Sequence, residues 1–471
     1  MRHLICFIAL LLSCVGTTAH AAEGPATATA PALHGTYLHL SDIHLDPLYL
    51  PPAAGTAAVR QLAQQLDAAP VDQWQAILAK AGDGSLTYQS RVDTDYYLLQ
   101  SALEAAASRG PFDYVLFTGD YLAHDFISRV QSSGGLTDAN AFAAKTVEFV
   151  NWMIEQQLPG VPIVAALGNN DSGIGDYALE VDGRFLAAIA PSMPGLAGNL
   201  AAQQSFAHGG YYTISHPTVA GHDFLVLSVF WSVNYPNFSG SACDTTTPGS
   251  DQYRYFDQAL SSTANKVTLL MHIPPGMDGY SGHNHAPSGR GTAAMWCGKA
   301  DWESNFEDAA AKYRDKLDGG FAGHTHMDEF RVLSAGGKPY LAIRMAPSVT
   351  TYNGNTPAFT VATYDTASAE TLDYTVYYLA NPGPGTTPVT ASWQPLYVFS
   401  QGYGPGGYTA AHLAQIAKDI RSAPGTARTT FTTHYSAGHQ LPGGSTSWPF
   451  FACALTSMNE RDYVGCVRNT H

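Results

Sequence analysis

From Thr36 onwards, short apolar runs alternate with longer amphipathic stretches, and each run stops at a polar cluster. Tyr37–Leu40 precedes Ser-Asp-Ile-His, Tyr114–Phe117 precedes Thr-Gly-Asp, and Ile163–Leu167 precedes Gly-Asn-Asn-Asp. Val267–Leu270 precedes Met-His, and Gly319–Ala322 precedes Gly-His-Thr-His. The runs predict five strands. Apolar residues at helical spacing predict intervening helices over Asp95–Ser108, Ala139–Gln157 and Trp302–Tyr313. This is an α/β pattern. In open α/β sheets ligands gather beyond the carboxyl ends of the strands, and each of these ends carries a metal-binding type of residue. Runs at Tyr340–Met345, Phe359–Tyr364 and Tyr374–Leu379 have no helices between them, which predicts a second sheet packed on the first. From about Pro395 the chain is rich in Gly, Pro and Thr, with helical pieces expected at His412–Arg421 and Phe450–Asn459. The domain expectation is therefore a catalytic domain over 35–390 and a small helical subdomain over 391–471. No internal repeat is visible.

The N-terminus reads as an address. Arg2 opens a basic segment, Leu4 to Val15 is apolar but too short to span a bilayer, and Ala19-His20-Ala21 offers a small-x-small cleavage site. A signal peptide over 1–21 and a flexible Ala-, Thr- and Pro-rich leader over 22–34 follow. Leu11-Leu12-Ser13-Cys14 loosely resembles a lipoprotein box, which would anchor Cys14 to a membrane instead. No other stretch is long enough for a transmembrane segment, so an exported chain, periplasmic or extracellular, is expected. Export makes disulfides possible. Cys243, Cys297, Cys453 and Cys466 remain after cleavage and allow three connectivities, of which Cys243–Cys297 with Cys453–Cys466 is favoured. No C-x-x-C pair marks them as a zinc site.

Composition narrows the partners. Of the 471 residues, 45% are hydrophobic and only 13% charged, with a formal net charge of −15. The composition is globular, and the charge disfavours duplex nucleic acid. Positive charge for a phosphate must come from metal ions or a local patch.

The candidate chemistry lies in Asp42, His44, Asp120, Asn169, His272, His324 and His326, all oxygen or imidazole donors suited to zinc, manganese or iron. On an extended segment Asp42-x-His44 would place both side chains on one side, as would His324-x-His326. If Asp120 bridges, the seven residues supply four contacts to each of two metals. Two metals roughly 3.5–4 Å apart clamp a phosphate and activate a water as hydroxide. Each motif alone is ordinary loop sequence; the whole set, at five strand ends, is not.

This ordered set resembles the signature of the calcineurin-like metallophosphoesterases. Gly119-Asp120-Tyr-Leu-Ala-His124-Asp125, His272-Ile-Pro-Pro-Gly276, Gly323-His-Thr-His-Met-Asp-Glu-Phe330 and Ala346-Pro-Ser-Val-Thr-Thr-Tyr-Asn-Gly354 look like the acid sphingomyelinase-like branch. The likeness covers roughly Tyr37 to Asp365. It implies a four-layer α/β-β/α sandwich, two divalent metals (zinc as the usual one) and hydrolysis of phosphodiester or phosphoanhydride bonds. It also implies the Cys243–Cys297 bridge. Asp42, His44, Asp120 and His326 would hold one metal, and Asp120, Asn169, His272 and His324 the other. His124 matches the branch's phosphate-contacting histidine and becomes the candidate general acid.

One departure bears on the substrate. Where the family reads Gly-Asn-His-Asp or Gly-Asn-His-Glu, this chain reads Gly168-Asn169-Asn170-Asp171. Asn170 can donate a hydrogen bond to phosphate but cannot deliver a proton. Alkoxide leaving groups need that proton and phosphate leaving groups need it far less, so nucleotide or polyphosphate-type substrates are favoured. Fungal endopolyphosphatases of the branch are similar at this motif. The alternatives are a sphingomyelin or phospholipid phosphodiesterase and a catalytically silent binding protein on the same scaffold. Weaker features are His283 and His285 at the site mouth, Tyr352 in the groove, the aromatic stretch Trp231, Tyr235 and Phe238, and an Asn237-Phe-Ser239 sequon.

Overall fold

The structure, a computed structural model, describes residues 34–235, 247–285, 293–298, 301–422 and 424–470. The predicted signal peptide, Cys14 and leader residues 22–33 lie outside these residues, as do Asn237, Phe238 and Cys243, whereas His34, expected to end the leader, opens the first strand. Among the described residues twelve strands form two six-stranded sheets. The first has β1 (His34–Leu40), β2 (Tyr114–Phe117), β3 (Ile163–Ala165), β10 (Ala358–Asp365), β11 (Thr371–Leu379) and β12 (Trp393–Val398), in the order β12-β11-β10-β1-β2-β3. The second has β4 (Tyr212–Ser215), β5 (His222–Val226), β6 (Lys266–Leu270), β7 (Leu317–Ala322), β8 (Glu329–Ala335) and β9 (Lys338–Met345), in the order β4-β5-β6-β7-β9-β8.

Parallel pairing runs through β1-β2-β3 and through β5-β6-β7-β9, the part of each sheet fed by apolar runs. The sheets meet through aromatic side chains. Tyr37 lies 5.6 Å from Phe321 and Tyr114 lies 6.1 Å from Phe224, ring centre to ring centre. The helices Tyr96–Ala107 and Ala139–Gln157 start where Asp95 and Asp138 accept from backbone N–H groups three residues on. The sequence had placed Asp95 inside the first helix; its side chain instead caps it.

The expected second sheet is corrected in its membership. The five motif-bearing strands divide three to two between the sheets, and the helix-free runs fill both: β9 joins the second sheet, β10 and β11 the first. The segment after β9 carries the chain across and ties the sheets together at their ends. Ser348 N–H donates to His326 O, Val349 N–H to Ser41 O and Thr350 N–H to Asp42 O. Motif loops from separate sheets therefore meet over one seam.

Beyond residue 391, β12 pairs with β11, and the helix Ala410–Ser422 packs against β8 and β9. The helix expected over Phe450–Asn459 runs instead over Trp448–Ala454, and a further helix, Glu460–Asn469, follows that the pattern did not predict. Asn459 breaks the run because its side chain caps the second helix by accepting from Asp462 N–H at 3.0 Å. The Cys453–Cys466 disulfide joins them, as expected.

Glu303 is half-buried in the helix Trp302–Lys312, with its carboxyl group inside, and accepts from Gly276 N–H at 2.8 Å. Burial raises its pKa to about 8, with Glu307 adding to the rise. A carboxyl raised above its unfolded value near 4.5 favours folding fully below that value and loses the contribution as pH rises towards 8. Glu303→Gln keeps an acceptor for Gly276. It is expected to flatten the fall in melting temperature between pH 5 and pH 8 in calorimetry, and parallel curves for the two chains would contradict this.

Candidate metal centre and substrate pocket

The motif loops are turns, not extended strand continuations. Asp42, His44, Asp120, His324 and His326 all have positive φ, from 49° to 74°. This left-handed region is uncommon for non-glycine residues, and clusters of it mark functional sites. It corrects the expectation that Asp42-x-His44 and His324-x-His326 align by strand alternation: β1 ends at Leu40 and β7 at Ala322, and the backbone then turns at each donor. Asp42 N–H donates to Gly119 O and His44 N–H to Asp120 O, zipping two motif loops together. Gly168 has to be glycine, since a Cβ there would collide with Asp120.

The turns gather all seven candidate donors. Asp42, His44, Asp120 and His326 present donor atoms within 4.8 Å of one another, as do Asp120, His272 and His324. Asp120 belongs to both groups. Its Oδ2 lies 3.2 Å from His44 Nε2 and 3.0 Å from His272 Nε2. His272 Nε2 also lies 3.1 Å from Asn169 Oδ1, and His326 Nε2 lies 3.4 Å from Asp42 Oδ1. These residues are buried apart from His324, which lines the pocket.

The imidazoles are oriented from behind. His44 Nδ1 lies 3.0 Å from Leu122 O, and His272 Nδ1 lies 2.7 Å from Thr118 O. A carbonyl only accepts, so Nδ1 carries the proton and Nε2 turns its lone pair inward. His44 Nε2 and His326 Nε2 are 3.1 Å apart, and His326 Nδ1 has no hydrogen-bond partner among the described residues. Carboxylates and imidazole lone pairs converging in a buried space need a cation between them, so the donor set fits divalent metal ions.

The ionisation pattern carries the same sign. Burial would raise Asp42, but His326, His44 and His272 outweigh it and hold its pKa at about 2. Burial likewise opposes Asp120, and His272 and His44 bring it well below the carboxylate range. Burial lowers His272, yet Asp120 lifts it to about 9; His324, lowered by burial and by His272, falls to about 4.

His124 sits beside this cluster. Its ring stacks between His44, at 4.1 Å, and Tyr352, at 3.7 Å. Its Nδ1 donates to Asp93 Oδ1 at 2.9 Å, and Asp93 and Asp46 are both held by Arg129 at 3.0 Å. Nε2 is thereby left for the pocket. Asp93 and Arg129 escaped the sequence reading because neither belongs to a strand-end motif. Asp171 escaped as well: it accepts from the N–H groups of Asp120, Leu122 and Gly168 and staples two motif loops. Asn170 donates to both Asp120 oxygens, through N–H and Nδ2, each at 2.9 Å, and its buried Oδ1 has no partner.

A pocket of about 210 Å³ opens over the cluster. Asp120, His124, Asn169, Asn170, His324 and His326 line its base, with Asp176, Tyr177, Asp278 and Tyr280 among its walls. His283 is elsewhere, with its ring 5.3 Å from that of Phe450. Trp231 and Tyr235 are core residues, their polar atoms bonded to Gly249 O and Leu179 O.

Two facing sheets with carboxylates and imidazoles gathered at their strand ends define a hydrolase of phosphoric esters of the metal-dependent kind. The chain belongs to the calcineurin-like phosphoesterase family, whose sequence profile matches residues 35–328. Cyclic GMP-AMP phosphodiesterase SMPDL3A from Homo sapiens is 23% identical over 483 residues, covering 98% of this chain and 98% of its own. Acid sphingomyelinase-like phosphodiesterase 3b from Homo sapiens is 25% identical, covering 93% and 91%. Sphingomyelin phosphodiesterase from Homo sapiens is 27% identical, covering 78% of this chain and 54% of its own. The relatives place the chain in the acid sphingomyelinase-like branch.

Proposed function

We propose that the chain is an exported two-metal phosphodiesterase that acts on nucleotide-type phosphodiesters and phosphoanhydrides. The observation that carries this is the pair of donor groups sharing Asp120, with Asn170 bonded to that same carboxylate. Asp42, His44, Asp120 and His326 would hold one cation, and Asp120, Asn169, His272 and His324 the other. Zinc suits this mixture of imidazole and oxygen donors and is the usual metal in the family that the sequence resembles. When bound, the cations would neutralise phosphate charge and acidify a water for attack at phosphorus.

The chain's own residues do the rest. With Nδ1 donated to Asp93, His124 offers an Nε2 proton to the leaving oxygen only as the imidazolium, a form that burial and His44 disfavour by lowering its pKa and Asp93 supports. Asn170, whose Nδ2 donates to Asp120 and keeps a second N–H for a phosphate oxygen, brings no second acid proton, which favours leaving groups that are already weak bases. No Lys or Arg is among the pocket's lining residues, whereas Asp176 and Asp278 are. A short nucleotide fits that balance better than a long polyanion. Export is supported by the Cys453–Cys466 disulfide and the N-terminal pattern.

A second reading, phospholipid cleavage, is favoured by Tyr280, which is 45% exposed at the mouth beside Asp278 and could meet a cationic head group. Turnover of sphingomyelin, a nucleoside triphosphate and polyphosphate separates the readings. The nucleotide is expected to turn over fastest. Asn170→His is expected to raise cleavage of alkyl diesters roughly 10-fold or more, less than the roughly 10²–10⁴-fold that a fully placed general acid contributes. Activity confined to sphingomyelin and unchanged by Asn170→His would overturn the proposal.

A further inference from the structure

Behind the metal cluster a file of buried polar side chains runs from one sheet into the other. Arg344 on β9, His39 on β1, Ser41 beyond the end of β1 and Thr118 beyond the end of β2 are all fully buried. Arg344 Nη1 donates to His39 Nδ1 at 3.0 Å. His39 Nε2 lies 3.1 Å from Thr118 Oγ1, which lies 2.6 Å from Ser41 Oγ. Ser41 Oγ in turn donates to Asp42 Oδ2, a carboxylate oxygen of the cluster. Gly323 makes room for this last step, because a Cβ there would collide with Ser41 Oγ and Asp42 Oδ2.

The two ends fix every proton between them. A guanidinium only donates, and an ionised carboxylate only accepts. Burial, helped by Arg344, pushes the His39 pKa well below the histidine range, so its ring is neutral and carries one proton. With Nδ1 accepting, that proton sits on Nε2 and points at Thr118. Thr118 keeps its own hydroxyl hydrogen for Ser41, since its other acceptor, Leu40 O, is farther away at 3.5 Å. Ser41 keeps its hydrogen for Asp42. The consequence falls on that carboxylate. His324 N–H reaches both Asp42 oxygens, at 3.0 and 3.2 Å, and does not choose between them. Ser41 does choose. It holds Oδ2 and leaves Oδ1 facing His326 Nε2 at 3.4 Å and His44 Nε2 at 3.8 Å.

We propose that Arg344, His39, Thr118 and Ser41 form a one-way hydrogen-bond relay that positions Asp42 for the cation held with His44 and His326. The relay rests on the two-metal reading above and adds four positioning residues to it. None of the four lines the substrate pocket. Their effect passes through one ligand of one ion. The carbonyl of Thr118, which holds His272 Nδ1 at 2.7 Å, belongs to the backbone and stays when the hydroxyl is removed.

The test is zinc binding to the metal-stripped full chain, read by competition with a chromophoric chelator. The wild-type chain is expected to take two ions. Ser41→Ala is expected to weaken one of them roughly tenfold or more, the scale on which the partners of metal ligands act, and to leave the other unchanged. Thr118→Val and His39→Leu are expected to weaken that same ion. Thr118→Ser and His39→Gln, which keep a donor and an acceptor in the file, are expected to hold it at the wild-type affinity. Because the hydroxyls act in series, Ser41→Ala combined with Thr118→Val is expected to bind no more weakly than Ser41→Ala alone. If Thr118→Val or His39→Leu fails to fold, Ser41→Ala, which removes a single oxygen, decides alone. Two ions in the wild type together with wild-type affinity in Ser41→Ala, equal weakening of both ions, or additive losses in the double variant would overturn the relay and leave the two-metal reading standing. A wild-type chain that takes no pair of ions would overturn both.

Discussion

Asp120→Asn is expected to lower kcat/KM on an aryl phosphodiester by roughly 10³-fold or more and to cut the bound metal from two ions per chain to one or none. The reasoning is electrostatic. Asp120 Oδ2 is within 3.2 Å of imidazole nitrogens from both donor groups, so its charge is the one shared by both proposed metal positions. Asparagine keeps the shape and one oxygen but removes the charge that offsets two cations in a buried site. Metal chemistry is worth several kcal/mol in the transition state, and each 1.36 kcal/mol is tenfold in rate. The loss is expected in kcat as well as in metal content, and excess metal is expected to restore only part of it. Full activity with both ions retained would remove Asp120 from the bridging role.

The second large effect belongs to His124 and depends on the leaving group. His124→Gln is expected to reduce cleavage of an alkyl phosphodiester by roughly 10²–10⁴-fold, the range for loss of a general acid. A nitrophenyl ester or a phosphoanhydride is expected to lose much less, since its leaving group departs without a proton. Asp93→Asn is expected to give a smaller loss with the same dependence on leaving group. It removes the acceptor that holds the proton on His124 Nδ1 at 2.9 Å, leaving the ring in place between His44 and Tyr352. Equal losses on all substrates would make His124 a residue that shapes the site and not one that moves a proton.

The strands that deliver the donors were legible because each is a short apolar run stopped by a polar motif. The sequence placed Tyr114–Phe117 with both ends as found, and the helix Ala139–Gln157 likewise. The edges of the sheets were not legible. β8 reads Glu-Phe-Arg-Val-Leu-Ser-Ala, yet Glu329 and Arg331 are buried and paired at 2.9 Å, so a charged pattern hides a buried edge strand. β5 begins His222-Asp223, whose polar side chains are also buried.

For the site, sequence named the seven donors and could not give their geometry. Left-handed turns at Asp42, His44, Asp120, His324 and His326 carry only a weak signal in residue type: Asp and His are enriched there among non-glycine residues, but most Asp and His in a chain are not left-handed. Asp93 and Arg129 lie outside every strand-end motif, and Asp171 closes the Gly168–Asp171 motif, but its bonds to Asp120 and Leu122 N–H, which staple a second loop, show only in the folded chain. Sheet membership after β9 was hidden for a related reason: the crossing segment is read only from its bonds to Ser41, Asp42 and His326.

The most direct measurement is diffraction from crystals of the metal-loaded chain, with anomalous scattering used to locate the ions. Two peaks are expected, one among Asp42, His44, Asp120 and His326 and the other among Asp120, Asn169, His272 and His324, with chelation abolishing both the peaks and the phosphodiesterase activity. A fully active chain with no ion at either position, or with its ions bound elsewhere, would contradict the account.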